Sequence, residues 1–196
     1  MSDMTKIDDQ GLAPRRVLEL LDSNNESLPV EVVLELEVEG NLYALFTPAQ
    51  PLVNILCEDM VDEEAPLEEL EPEAFKGDVK HHIQSALREL EVSVEVRADE
   101  FILMGELKEE VYEQSEVIEL EGDAEGENKE YLVIMEVEDA MKRYLISLAM
   151  EPEIYAGEIL ADNQARLLND DELQRYQSHF EAALFEEVGD DEGEEG

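Results

Sequence analysis

The chain has 196 residues, of which 54 are Asp or Glu and 13 Lys or Arg, a formal net charge of −41. Its 43% hydrophobic content supplies a core, which excludes a wholly disordered acidic chain, and the length suits one large domain or two small ones. The charge repels nucleic-acid phosphate and anionic lipid but attracts basic protein surfaces, and no apolar run nears the roughly 18 residues that span a bilayer.

In chain order, residues 1–12 are polar, without a basic-then-apolar leader pattern, and are expected to be disordered. A first unit is expected over residues 13–90. It opens with a strand from Arg16 to Leu21 and a polar turn, Asp22 to Glu26. Val32, Leu34, Leu36 and Val38 then alternate with partners that include Glu35 and Glu37, the period of a half-buried strand over Val30 to Glu39. Gly40-Asn41 turns the chain into strands Leu42 to Phe46 and Leu52 to Cys57. Glu58 to Glu73 is acidic, lacks any base and holds Pro66 and Pro72, which predicts a mobile loop. A closing helix carries Phe75, Val79, Ile83, Ala86, Leu87 and Leu90 on one face.

Residues 91–114 are expected to form a connecting hairpin. Val92, Val94 and Val96 alternate with polar residues, and Phe101-Ile102-Leu103-Met104 follows. A second unit, residues 115–188, then repeats the first at a spacing near 100. Val17-Leu18-Glu19-Leu20 recurs as Val117-Ile118-Glu119-Leu120, and Leu36-Glu37-Val38-Glu39 as Met135-Glu136-Val137-Glu138. Tyr43-Ala44-Leu45 recurs as Tyr144-Leu145-Ile146, Pro51-Leu52-Val53 as Pro152-Glu153-Ile154, and the helical stretch His82-Ile83-Gln84-Ser85-Ala86-Leu87 as His179-Phe180-Glu181-Ala182-Ala183-Leu184. Strands are expected at Glu116 to Glu121, Lys129 to Glu138, Arg143 to Leu148 and Ile154 to Leu160, with a turn at Gly122 to Gly126. Asn169 with Glu172 forms a capping box for a helix whose Leu173, Tyr176, Phe180, Ala183 and Leu184 share a face. Residues 189–196 read as an acidic disordered tail.

The pattern implies an α+β fold of two pseudo-repeated units. Each is an antiparallel β-meander of about four strands closed by one amphipathic helix, with an extra β-hairpin between them. Glu37-Val38-Glu39-Gly40, Tyr43-Ala44-Leu45 and Pro48, with Glu136-Val137-Glu138 and Tyr144-Leu145-Ile146, carry a resemblance to the YrzB-like family of small acidic bacterial proteins of unknown function. The two-copy layout resembles longer uncharacterised proteins of cyanobacteria and plastids. The resemblance implies no activity, substrate or catalytic residue.

Motifs for chemistry are sparse. The chain has neither a dinucleotide fingerprint nor a phosphate-binding loop. Cys57, the single cysteine, sits in an apolar run and reads as a small buried hydrophobe; its solitude rules out an intrachain disulfide and suits the cytoplasm or a plastid stroma. His81 and His82 are adjacent, so on a helix they point about 100° apart, while His82 and His179 would approach each other only if the two units paired about a twofold axis. Asp123-Ala124-Glu125-Gly126-Glu127 departs from the calcium-loop pattern. No catalytic, cofactor or metal residue is assigned. The expected function is a non-catalytic interaction, assembly or accessory factor for a basic protein surface, with no direct nucleic-acid binding and no membrane insertion. A nucleic-acid mimic occupying a DNA- or RNA-binding groove, and an enzyme with a site not visible in sequence, are the alternatives. Oligomeric state is left open.

Overall fold

The computed structural model describes residues 16–61, 66–121, 128–139, 141–161 and 163–189. The residues expected to be a disordered start, the turn at 122–126 and the tail from 190 lie outside the described set. The chain divides into two compact units. One takes in the described residues up to Ala49 and those from Glu153 onward, and the other is Gln50–Pro152.

The first unit is a closed barrel. Strands β1 (Val17–Leu21), β2 (Ser27–Val38) and β3 (Asn41–Pro48) form an antiparallel meander. The β2–β3 reversal uses Glu39 and Gly40, both at positive φ, the conformation that a two-residue hairpin needs. Beside β3 lies β11 (Tyr155–Ala161), then β12 (Gln164–Leu167), which closes the barrel by pairing in parallel with β1. Leu18, Val30, Ala44, Phe46 and Ala165 are completely or almost completely buried. The helix α3 (Asp170–Gly189) places Tyr176 and Phe180 against Leu34, Val38, Tyr43 and Leu45.

The second unit is an open sheet. Meander β8 (Glu116–Glu121), β9 (Asn128–Asp139) and β10 (Lys142–Ala149) receives β4 (Val53–Asp59) beside β10, then the two-residue β5 (Glu68–Glu69). Hairpin β6 (Ser93–Arg97) with β7 (Glu100–Met104) and helix α1 (Gly77–Leu87) supply Val94, Phe101, Leu103, Ile83 and Leu87 to a core with Ile55, Tyr144 and Ile146. A short helix α2 (Glu109–Gln114) precedes β8.

The expected α+β arrangement of two consecutive meander-and-helix units is overturned. The chain is mostly β, a closed five-stranded barrel and an open five-stranded sheet, and neither expected unit is self-contained. β3 pairs with β11 rather than β4, and β4 pairs with β10. Hydrophobic alternation sets which face of a strand is buried but not which strand lies beside it. The links after the third strands contain Pro51 in one case and Pro152 in the other. Proline lacks a donor and holds the residue before it extended, so the chain leaves instead of reversing into a hairpin.

Local expectations also changed. In the stretch expected to be a mobile loop, Glu68 and Glu69 pair with Cys57 and Leu56, and Leu70 N–H donates to Ile55 C=O at 2.7 Å. On α3, Leu173 and Leu184 are exposed at 43% and 40%, so the buried stripe is narrower than the periodicity implied. The helix runs on through Gly189.

Candidate functional site

The three histidines have separate local settings. His82 Nδ1 lies 3.4 Å from Asp139 Oδ2 in the second unit, whereas His179 stands edge-on to the Tyr176 ring in the first. His81 is exposed. Among the described residues no group of three or more His, Cys, Asp or Glu could hold a metal ion. Cys57 is half-buried, beside the core of the second unit.

A groove of about 430 Å³ opens on the barrel between the β1–β2 turn and the β12–α3 junction. Its two charged lining groups, Asp22 and Arg166, each already have partners. Arg166 donates to Glu158 at 2.6 Å and to both oxygens of Glu172 at 2.8 and 3.0 Å. These partners push the guanidinium's pKa up, and Arg166 holds the Glu172 carboxyl below the usual carboxylate range. Asp22 Oδ1 accepts from the amides of Asn24 and Glu26, both at 2.8 Å, which fixes its own turn. A polar ligand that used Arg166 or Asp22 would have to compete with these contacts.

The surface chemistry instead concentrates on α2 and β8. From Glu106 to Glu121 the chain carries Glu106, Glu109, Glu110, Glu113, Glu116, Glu119 and Glu121 with one cation, Lys108. Lys108 ion-pairs with Glu91, outside this run; the contact lowers the Glu91 pKa and raises that of Lys108. Leu107 and Val111 pack on the core, and Ser115 Oγ donates to Val111 C=O at 2.6 Å, closing the helix. That anchoring turns Glu109, Glu110 and Glu113 to solvent beside Tyr112, which is 45% exposed. On β8, Glu116, Val117 and Glu119 are exposed. Sequence reading found β8 but assigned the preceding stretch to a hairpin connector. The signal for α2 was present as Leu107 and Val111, four apart among glutamates.

Elsewhere cations are spent locally. Arg143 donates from Nε to Glu58 at 2.7 Å and from Nη1 to Glu136 at 3.3 Å; Arg16 pairs with Glu35 and Arg175 with Glu39. If all 13 Lys and Arg paired one-to-one with acids, 54 − 13 = 41 carboxylates would still remain.

Among the described residues no helix is long and apolar enough to cross a membrane. No curated protein and no solved structure matches the chain. The YrzB-like resemblance has no counterpart among the matches, and nothing in them supports a two-copy form. Over residues 94–187, from the β6–β7 hairpin through most of α3 and including the acidic α2–β8 segment, the chain matches a family described as a protein of unknown function (DUF3727).

Proposed function

We propose that the chain is a non-catalytic interaction protein, an assembly or accessory factor that holds a basic surface of another protein. The observation that supports this reading is the α2–β8 segment, seven glutamates whose single nearby cation is turned to Glu91. Like charges held together on a folded surface oppose folding, and their attraction for a basic partner speeds encounter and selects among partners. Exposed Tyr112 is a side chain of the kind that anchors interfaces, and exposed Val117 adds apolar area beside it in sequence.

The test is affinity capture from native lysate with a salt series. Basic proteins should be retained at low salt and released by about 0.5 M NaCl, where the screening length is only a few ångströms. Retention unchanged by salt, or recovery of acidic proteins, would overturn the reading.

A further inference from the structure

We propose that the outer edge of β8 takes an extended, lysine- or arginine-bearing segment of a partner protein as an added parallel strand. The proposal rests on the interaction reading above and names its site.

The barrel supplies the pattern. Its order β12-β11-β3-β2-β1 has the same sequence of roles as β5-β4-β10-β9-β8 in the open sheet. Val17 lies opposite Glu31 on β2, as Val117 lies opposite Leu132 on β9. Both β2–β3 and β9–β10 carry a register shift, between Val32 and Leu34 in one and between Ile146 and Ser147 in the other. In the barrel the edge of β1 is covered by β12. In the open sheet β5 holds the corresponding place beside β4 but is two residues long, and among the described strands β8 pairs with β9 alone.

Backbone direction identifies the free groups. Glu19 N–H points out of β1 and donates to Asn163 C=O at 2.9 Å, at the start of β12. Glu119 is the corresponding residue of β8 and lies opposite Glu130. The Glu130 C=O accepts from Met150 N–H on the far side of β9. In an antiparallel ladder, residues that face each other either exchange both bonds or neither, so the Glu119 N–H and C=O face outward.

The occupant must be basic. A second copy of β8 would set Glu116 and Glu119 against their own like, and charged edges of this kind are what keep sheets from pairing with themselves. The barrel's own closing strand carries Arg166, set between Glu158 and Glu172. An added strand with Arg or Lys at alternate positions would gain main-chain hydrogen bonds for affinity and, with its bases on the sheet face that carries Val117 and Glu119, a contact to Glu119 for selection.

The experiment measures binding of a short labelled peptide alternating arginine with valine to the full chain, by fluorescence anisotropy at low salt. Glu119→Gln and Glu119→Pro remove the same charge, but only proline removes the outward donor. Binding at least about tenfold weaker in E119P than in E119Q is expected, with E119Q itself moderately weaker than wild type through the lost charge. Amide exchange on the unaltered protein is the second readout, with slowed exchange at Val117 and Glu119 when peptide is added. Equal affinity of the two variants, together with unchanged exchange, overturns the edge site and leaves the acidic-surface reading standing. Absence of binding in every form overturns both. Self-association by sedimentation that E119P abolishes would assign the edge to a second copy and overturn the basic occupant.

Discussion

The Tyr43 hydroxyl on β3 donates to the Tyr176 hydroxyl on α3 at 3.0 Å, with ring centroids 4.5 Å apart and the two residues 133 positions apart in the chain. This contact ties the helix to the barrel. Tyr43→Phe leaves the buried Tyr176 oxygen without its donor and should destabilise by about 1 kcal/mol. The double variant Y43F/Y176F should cost less than the sum of the two single changes in urea unfolding. Additive costs would show that the hydroxyls do not act as a pair.

The same contact, followed by burial, raises the Tyr43 pKa above the usual phenol value. A group whose folded pKa is raised contributes fully below its unfolded value of about 10 and loses that contribution as pH rises through the folded value. Alkaline unfolding of the wild type should therefore be steeper than that of Y43F. Identical limbs in a pH titration of stability would contradict this.

Gly157 on β11 has no room for a side chain. A Cβ there would come 2.7 Å from Arg166 O, 2.9 Å from Phe46 Cε2 and 3.1 Å from Leu20 Cδ1. Gly157→Ala should cost about 1–3 kcal/mol by overpacking. Gly40→Ala meets no atom within 4 Å but must hold a φ of +85°, so it should cost about 1 kcal/mol. Thermal unfolding of the two variants distinguishes crowding from backbone strain, and a G157A protein as stable as wild type would contradict the packing account.

Asn169 and Glu172 form a reciprocal cap. Asn169 N–H donates to Glu172 Oε2 at 3.1 Å, and Glu172 N–H donates to Asn169 Oδ1 at 3.0 Å. Asn169→Ala should cost about 1 kcal/mol. Arg166, followed by the Asn169 amide, depresses the Glu172 pKa. Its contribution is thus complete above the unfolded value of about 4.3 and is lost as pH falls through the lower folded value. The stability gap between wild type and E172Q should be open near neutral pH and close on acidification. A gap independent of pH would mean that the charge plays no part.

Added salt should raise the melting temperature. Net charge of −41 opposes compaction, and most carboxylates lack a paired cation. Screening weakens that repulsion more than it weakens close pairs such as Arg166 with Glu158. Calorimetry across about 0.05–0.5 M NaCl checks the sign, and a falling melting temperature would show that attractive pairs dominate.

Local structure was readable from the residues in a way that assembly was not. The alternation of Val32, Leu34, Leu36 and Val38 lies within β2, and the Asn169–Glu172 spacing forms the cap it implied. Those signals act within a few residues. The pairing of β3 with β11 depends on contacts more than 100 residues away, which no local period encodes. β12 was missed because Gln164-Ala165-Arg166-Leu167 is four residues long with only two apolar side chains beyond its polar pair. The acidity of the Glu106–Glu121 stretch was visible in sequence, but its open strand edge was not, because an edge is defined by the neighbour that is missing.

The exchange of β4 and β11 between the meanders also sets an order of events during synthesis. The second unit is one continuous stretch, Gln50–Pro152, and can close as soon as it has left the ribosome. The residues up to Ala49 emerge earlier yet cannot complete a barrel until Glu153 and beyond have followed. The first meander made is the last to be enclosed, so a nascent chain interrupted before β11 leaves β1, β2 and β3 paired with each other but with both outer edges uncovered, a substrate for chaperones rather than half a protein.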